Sequence, residues 1–129
     1  MNGRYLLDTN AVIALWSNDA SLQSLLSTAD LVSVPCIALG ELYFGASKSV
    51  RTQANLAKID EFAERTAILR CDAATAKHYG QVRELLRERG RPIPDNDVWV
   101  AALAQQYGLV LVSRDEHFSE VAGLDVVKW

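Results

Sequence analysis

Gly108-Leu109-Val110-Leu111-Val112-Ser113-Arg114-Asp115 is the stretch on which the reading of this chain turns. Leu109–Val112 is an unbroken apolar run, the mark of a strand covered on both faces and so of a parallel sheet between helices. Gly108 ahead of it is a good helix stop after the helix-forming run Ala101–Gln106. Working outward, the same alternation recurs. Arg4–Leu7 reads as a strand and ends in Asp8-Thr9-Asn10, three N-cap types, before the helical spacing of Val12, Ile13, Leu15 and Trp16. Ala20–Thr28 reads as a second short helix. Leu31–Pro35 reads as a strand closed by proline, followed by a helix over Cys36–Ser47 and an amphipathic one over Val50–Arg65. Thr66–Cys71 is a third strand, and Asp72 caps a helix over residues 73–89. The loop Gly90–Asn96 leads into a helix that starts near Asp95–Asp97 and runs to Tyr107, although Val98, Trp99 and Val100 pull locally toward strand. Asp115–Ser119 is a turn or short helix, and Leu124–Val127 a last strand. Strands alternating with helices predict one α/β domain over residues 1–129 with a mainly parallel sheet; the pattern does not set the strand order.

Composition narrows the function. The chain has 129 residues, 50% of them hydrophobic and 22% charged, enough apolar material for a core and too much for intrinsic disorder. The longest uncharged run, Val98–Ser113, is interrupted by Gln105, Gln106 and Gly108, so no membrane span is expected. The opening Met1–Asp8 carries no long apolar region, so no signal peptide is expected and the cytoplasm is the expected compartment. The two cysteines, Cys36 and Cys71, beside apolar runs, are expected as buried thiols and not as a disulfide framework. No Cys/His cluster has zinc spacing. A net charge of −3 argues against a general nucleic-acid coat, but leaves open an enzyme that meets nucleic acid through a metal ion.

The acids fall where such a site would be built. Ligands of open α/β sheets sit at the carboxyl ends of the strands. Asp8 and Asp115 lie there, Glu41 lies in the helix after the second strand, and Asp97 at the amino end of a helix. Ala38 and Gly45 flank Glu41, and Ala101 and Ala104 follow Asp97 on its face, which leaves room for an approaching group or for close helix packing. If the four carboxylates meet, they share protons or bind a cation. An all-oxygen set without His or Cys selects Mg²⁺ or Mn²⁺ over zinc, and such ions bridge carboxylates to phosphate in phosphodiester hydrolysis. Each residue also has a plainer reading. Asp8 and Asp115 can be simple caps, Glu41 a solvated acid, Asp95 and Asp97 first-turn acids, and Thr9 and Ser113 caps. His78 and His117 have no partner spacing and read as surface residues. Arg83, Arg87, Arg89 and Arg91, diluted by Glu84 and Glu88, read as a solvated face or as an RNA-backbone contact. Core packing is the first expectation for Trp99, and Trp129 is a candidate interface anchor.

Leu6-Leu7-Asp8-Thr9-Asn10, Glu41 in a helix, Asn96-Asp97 before Ala101-Ala102, and Val112-Ser113-Arg114-Asp115 followed by Phe118 form an ordered set. With it the whole chain resembles the PIN-domain family, and within it the VapC-type toxins of toxin–antitoxin pairs. The resemblance implies a three-layer domain with a parallel sheet of four or five strands between helices, and an Mg²⁺- or Mn²⁺-dependent endoribonuclease. It implies that Asp8, Glu41, Asp97 and Asp115 are the catalytic and metal-holding acids, with Asp8 and Asp97 the surest ligands, and that Thr9 and Ser113 support them. Ser113 stands where the family usually has Thr, and Asp95 adds an acid beside Asp97. The resemblance further implies an RNA substrate, a homodimer, and an antitoxin partner docking on Ile37, Leu42, Tyr43, Phe44, Leu56, Ile59 and Phe62. Two other readings stand beside it: an aspartyl-phosphate phosphotransfer protein, and an inactive PIN-like interaction module.

Overall fold

The computed structural model describes residues 3–129. Five parallel strands form one sheet: β1 (Arg4–Leu7), β2 (Leu31–Pro35), β3 (Ala67–Leu69), β4 (Val110–Val112) and β5 (Val126–Val127). Their order across the sheet is β3-β2-β1-β4-β5. Six α-helices cover it: α1 (Thr9–Trp16), α2 (Ala20–Leu26), α3 (Cys36–Ser47), α4 (Thr52–Arg65), α5 (Ala73–Glu88) and α6 (Asp95–Tyr107). A 3₁₀ turn, Glu116–Glu120, joins β4 toward β5. The expected α/β class and parallel sheet hold, with five strands.

Side-chain alternation along the central strands makes the three layers. Leu6 of β1 pairs in register with Leu111 of β4, and Leu7 with Val112. Leu6 and Leu111 join the core beneath α5, α6 and the 3₁₀ turn, with Val82, Leu86, Leu103 and Phe118. Leu7 and Val112 point the other way, into the core of α1–α4 with Val12, Leu22, Leu42 and Ile59. All four strand residues are fully buried, and each such side chain is worth about 1.5–3 kcal/mol of hydrophobic transfer.

Strand order sets where a site can form. From β1 the chain builds outward through β2 to β3, then returns to the other side of β1 for β4 and β5. The order reverses between β1 and β4, and a crevice opens at their carboxyl ends. Asp8 ends β1 and Ser113 ends β4, and the Asp8 N–H still bonds the Val112 carbonyl at 3.3 Å.

Several local expectations shift. Val98 and Val100 sit inside α6 because both are buried, so packing overrides their strand preference. Gly108 ends α6 in the left-handed region, φ 63° and ψ 42°, which a glycine adopts without strain. The third and last strands are shorter than their apolar runs. Cys71 therefore falls beyond β3 and is exposed, and Cys36 is half-buried, so the cysteines are not the buried pair expected. Trp99 is only partly buried and stacks on Tyr79 of α5, centroids 4.1 Å apart. Trp129 lies under the Arg114 guanidinium, 4.4 Å from its ring centroid.

Candidate active site

The crevice gathers all four acids. Asp8 is the N-cap of α1: its Oδ1 accepts from the Ala11 N–H at 2.8 Å. Its Oδ2 accepts from the Ser113 hydroxyl at 2.5 Å. Ser113 is fully buried, and its Oγ also accepts the Asp115 N–H at 3.0 Å. One hydroxyl thus ties the acid after β1 to the acid after β4. Asp115 in turn caps the 3₁₀ turn, accepting from the His117 N–H at 2.9 Å. Glu41 rises from α3, where the Thr9 hydroxyl donates to its Oε1 at 3.0 Å. The partly buried Asp97 faces them from the first turn of α6.

Electrostatics confirm the proximity. Burial holds the Asp8 carboxyl above the usual carboxylate range, and the charges of Asp115 and Glu41 push the same way; the Ser113 and Ala11 hydrogen bonds oppose. Asp97 is likewise raised, first by burial and then by Asp115 and Glu41, against the pull of His117. Among the described residues no lysine or arginine forms an ion pair with any of the four. Arg114, next to Asp115 in sequence, donates instead to the Trp129 carbonyl.

The neighbouring acids are used elsewhere. Asp95 accepts from Tyr79 and pairs with Arg83 at 2.9 Å, which removes it from the cluster and leaves the position to Asp97. Glu116 pairs with Lys128. Arg87 pairs with Glu84 at 2.5 Å, and Arg89 donates to the Glu120 carbonyl at 2.6 Å, so much of the basic run of α5 is spent within the fold.

His117 was missed. Its Nδ1 lies 3.0 Å from Asp115 Oδ1 and 3.4 Å from Asp97 Oδ2. The spacing Asp115-Glu116-His117 carried the signal: an Asp capping a 3₁₀ turn folds the residue two places on back over its own carboxylate. One ligand atom from each of Asp97, Asp115 and His117 lies within 4.8 Å of the others, a group able to hold a metal ion. Hard oxygen donors, a buried carboxyl and, among the described residues, no competing lysine or arginine ion pair suit a divalent cation.

The helical face expected to dock a partner divides. Leu42 and Ile59 are buried and pack α3 and α4 together, and Ile37 packs partly buried against the α5–α6 core. Tyr43, Leu56 and Phe62 are partly buried, while Phe44 is 64% exposed. Leu42 and Ile59 are core residues here because α3 and α4 close on them. Their edges still line a groove of about 290 Å³, together with Thr9, Ile13, Trp16 and Glu41.

Comparisons with known proteins identify the family. The PIN domain family matches residues 5–124. The chain is 35% identical to Ribonuclease VapC2 of Haemophilus influenzae, over 98% of each chain. It is 33% identical to the tRNA(fMet)-specific endonuclease VapC of Shigella flexneri, again over 98% of each. Among solved structures it is similar to VapBC-5 of Mycobacterium tuberculosis, a member of the VapBC family of toxin–antitoxin systems, with TM-score 0.76, 27% identity and coverage of 98% and 97%. A crevice of four acids at the sheet's reversal point, in a chain matched from its first strand nearly to its last, places this protein in the PIN-domain family, among its VapC-type members.

Proposed function

We propose that this protein is a metal-dependent endoribonuclease that hydrolyses RNA phosphodiester bonds and serves as the toxin of a toxin–antitoxin pair. The observation that carries the reading is the meeting of Asp8, Glu41, Asp97 and Asp115 in one crevice, with no lysine or arginine ion pair to any of them among the described residues. These four are the proposed catalytic and metal-holding residues, for Mg²⁺ or Mn²⁺. Such a cation, when bound, supplies a coordinated water of lowered pKa and offsets the charge of the phosphodiester. The chain's own groups do the positioning. Ser113 fixes Asp8 and Asp115 relative to each other through one hydroxyl. Thr9 turns Glu41 toward the crevice. The helix N-cap holds Asp8 at one oxygen, so its orientation is set before any ligand arrives.

The name of the Shigella flexneri relative supports a transfer RNA as substrate. The partner is an antitoxin, and the groove beside Ile13 and Trp16 is the proposed docking face, with a homodimer as the assembly. No helix among the described residues is long and apolar enough to cross a membrane. The test uses Asp8→Ala, checked for folding by circular dichroism, beside the wild type on total transfer RNA. The reading expects fragments from the wild type and none from the variant. Cleavage at the wild-type rate by folded Asp8→Ala contradicts it.

A further inference from the structure

Four carboxylates account for a magnesium-type site, but the group most closely arranged for a cation contains a nitrogen. His117 Nδ1 stands between Asp115 Oδ1, at 3.0 Å, and Asp97 Oδ2, at 3.4 Å. Neighbouring ligands on an octahedral ion at about 2.0–2.1 Å from the metal are separated by roughly 3.0 Å. The Asp115–His117 spacing already matches, and the Asp97–His117 spacing exceeds it by a few tenths of an ångström. The imidazole is 52% exposed and free to close that gap.

The surroundings hold the ring in this place. The His117 N–H is bonded to Asp115 Oδ1, which fixes the backbone of the turn. Phe118, the next residue, is buried under the sheet and anchors the same turn. Glu116 is drawn off to Lys128, so the imidazole, and not a further carboxylate, is what the turn presents to Asp97.

We propose that His117 is an inner-sphere metal ligand through Nδ1, and that it makes the site prefer Mn²⁺ to Mg²⁺. This rests on the reading of the crevice as a metal site. The selectivity follows from ligand chemistry. Mg²⁺ favours carboxylate and water oxygens, whereas imidazole nitrogen is a better ligand for transition ions. Exchanging one oxygen for a nitrogen therefore raises the affinity for Mn²⁺ relative to that for Mg²⁺. The competing account is that the imidazole is a counter-ion, standing where a cation would sit. In that case its removal strengthens the binding of both ions.

The experiment measures binding without RNA. Calorimetric titration gives the affinities of wild type and His117→Gln for Mn²⁺ and for Mg²⁺. Pulsed electron paramagnetic resonance of the Mn²⁺ complex looks for ¹⁴N coupling from a coordinated imidazole. The proposal expects ¹⁴N coupling in the wild type, its loss in His117→Gln, and a fall in the Mn²⁺/Mg²⁺ affinity ratio. Gln keeps polarity and approximate size at an exposed position, so folding is preserved, and a thermal melt checks it. Mn²⁺ binding by the wild type without ¹⁴N coupling overturns the assignment of His117 but leaves the metal site standing. So does a rise in affinity for both ions in the variant. A wild type that binds neither ion overturns the metal reading and this inference together.

Discussion

Ser113→Ala is the sharpest perturbation of the site that leaves every acid in place. Its hydroxyl is fully buried, donates to Asp8 Oδ2 at 2.5 Å and accepts the Asp115 N–H at 3.0 Å. Losing a hydrogen bond to a charged group costs about 1.5–3 kcal/mol, because the buried carboxylate keeps its desolvation penalty without its donor. At about 2.1 cal/mol/K of unfolding entropy per residue, a chain of 129 residues has roughly 0.27 kcal/mol/K. The melting temperature in EDTA should then fall by about 6–11 °C. Metal affinity should fall about 10–100-fold, the usual effect of removing a group that orients a ligand. Scanning calorimetry in EDTA and calorimetric titration with Mn²⁺ read the two effects. Because Ser113 acts through Asp8, its destabilisation should shrink in an Asp8→Asn background, with a coupling of about 0.5–3 kcal/mol. An unchanged melt together with metal affinity within twofold of wild type would show that the hydroxyl holds neither acid.

Asp8 and Asp97 are raised by burial, so the folded state binds their protons more tightly than the unfolded one. Without metal, these two groups therefore cost stability as pH rises from the ordinary carboxylate value of 3.8 through their raised values. Asp8→Asn should melt above wild type in EDTA at pH 7, with the gap shrinking toward pH 4; a gap that widens on acidification would contradict this. Phe118→Ala empties a core position under the 3₁₀ turn and should cost about 3–5 kcal/mol. It should also weaken Mn²⁺ binding, because Asp115 and His117 are placed by that turn; calorimetry reads both, and unchanged binding argues that the turn does not place them. Gly108→Ala meets no neighbouring atom but sits at φ 63°, so it should cost about 1–2 kcal/mol of conformational strain and leave metal affinity unaltered. Lost metal affinity in that variant would point to a longer-range disturbance of α6.

Much of the fold was legible because the strongest local signals agree with the tertiary structure. Leu109–Val112 is apolar throughout because β4 is central and covered on both faces. Asp8 and Asp72 each sit before a helical run, and each accepts the N–H it should. What was not legible was set by neighbours distant in sequence. The strand order emerges only from pairing. The role of Asp95 depends on Tyr79 and Arg83, on another helix, which engage it. His117 looked like a surface residue because it is one by exposure; only the approach of α6 to the 3₁₀ turn brings Asp97 to it. Leu42 and Ile59 read as a docking stripe, since an apolar helix face looks the same whether it meets its own chain or another. Here α3 and α4 cover it for each other.

The most direct test of the central claim, that the four acids form a metal site for RNA hydrolysis, combines cleavage and binding on one preparation. Purified protein, free of any partner, is incubated with a mixed RNA pool in Mg²⁺, in Mn²⁺ and in EDTA, beside Asp97→Asn, while Mn²⁺ binding is titrated on the same samples. The account predicts fragments with either ion, none in EDTA, and the loss of both cleavage and Mn²⁺ binding in folded Asp97→Asn. Cleavage that persists in EDTA or at full rate in Asp97→Asn would contradict it.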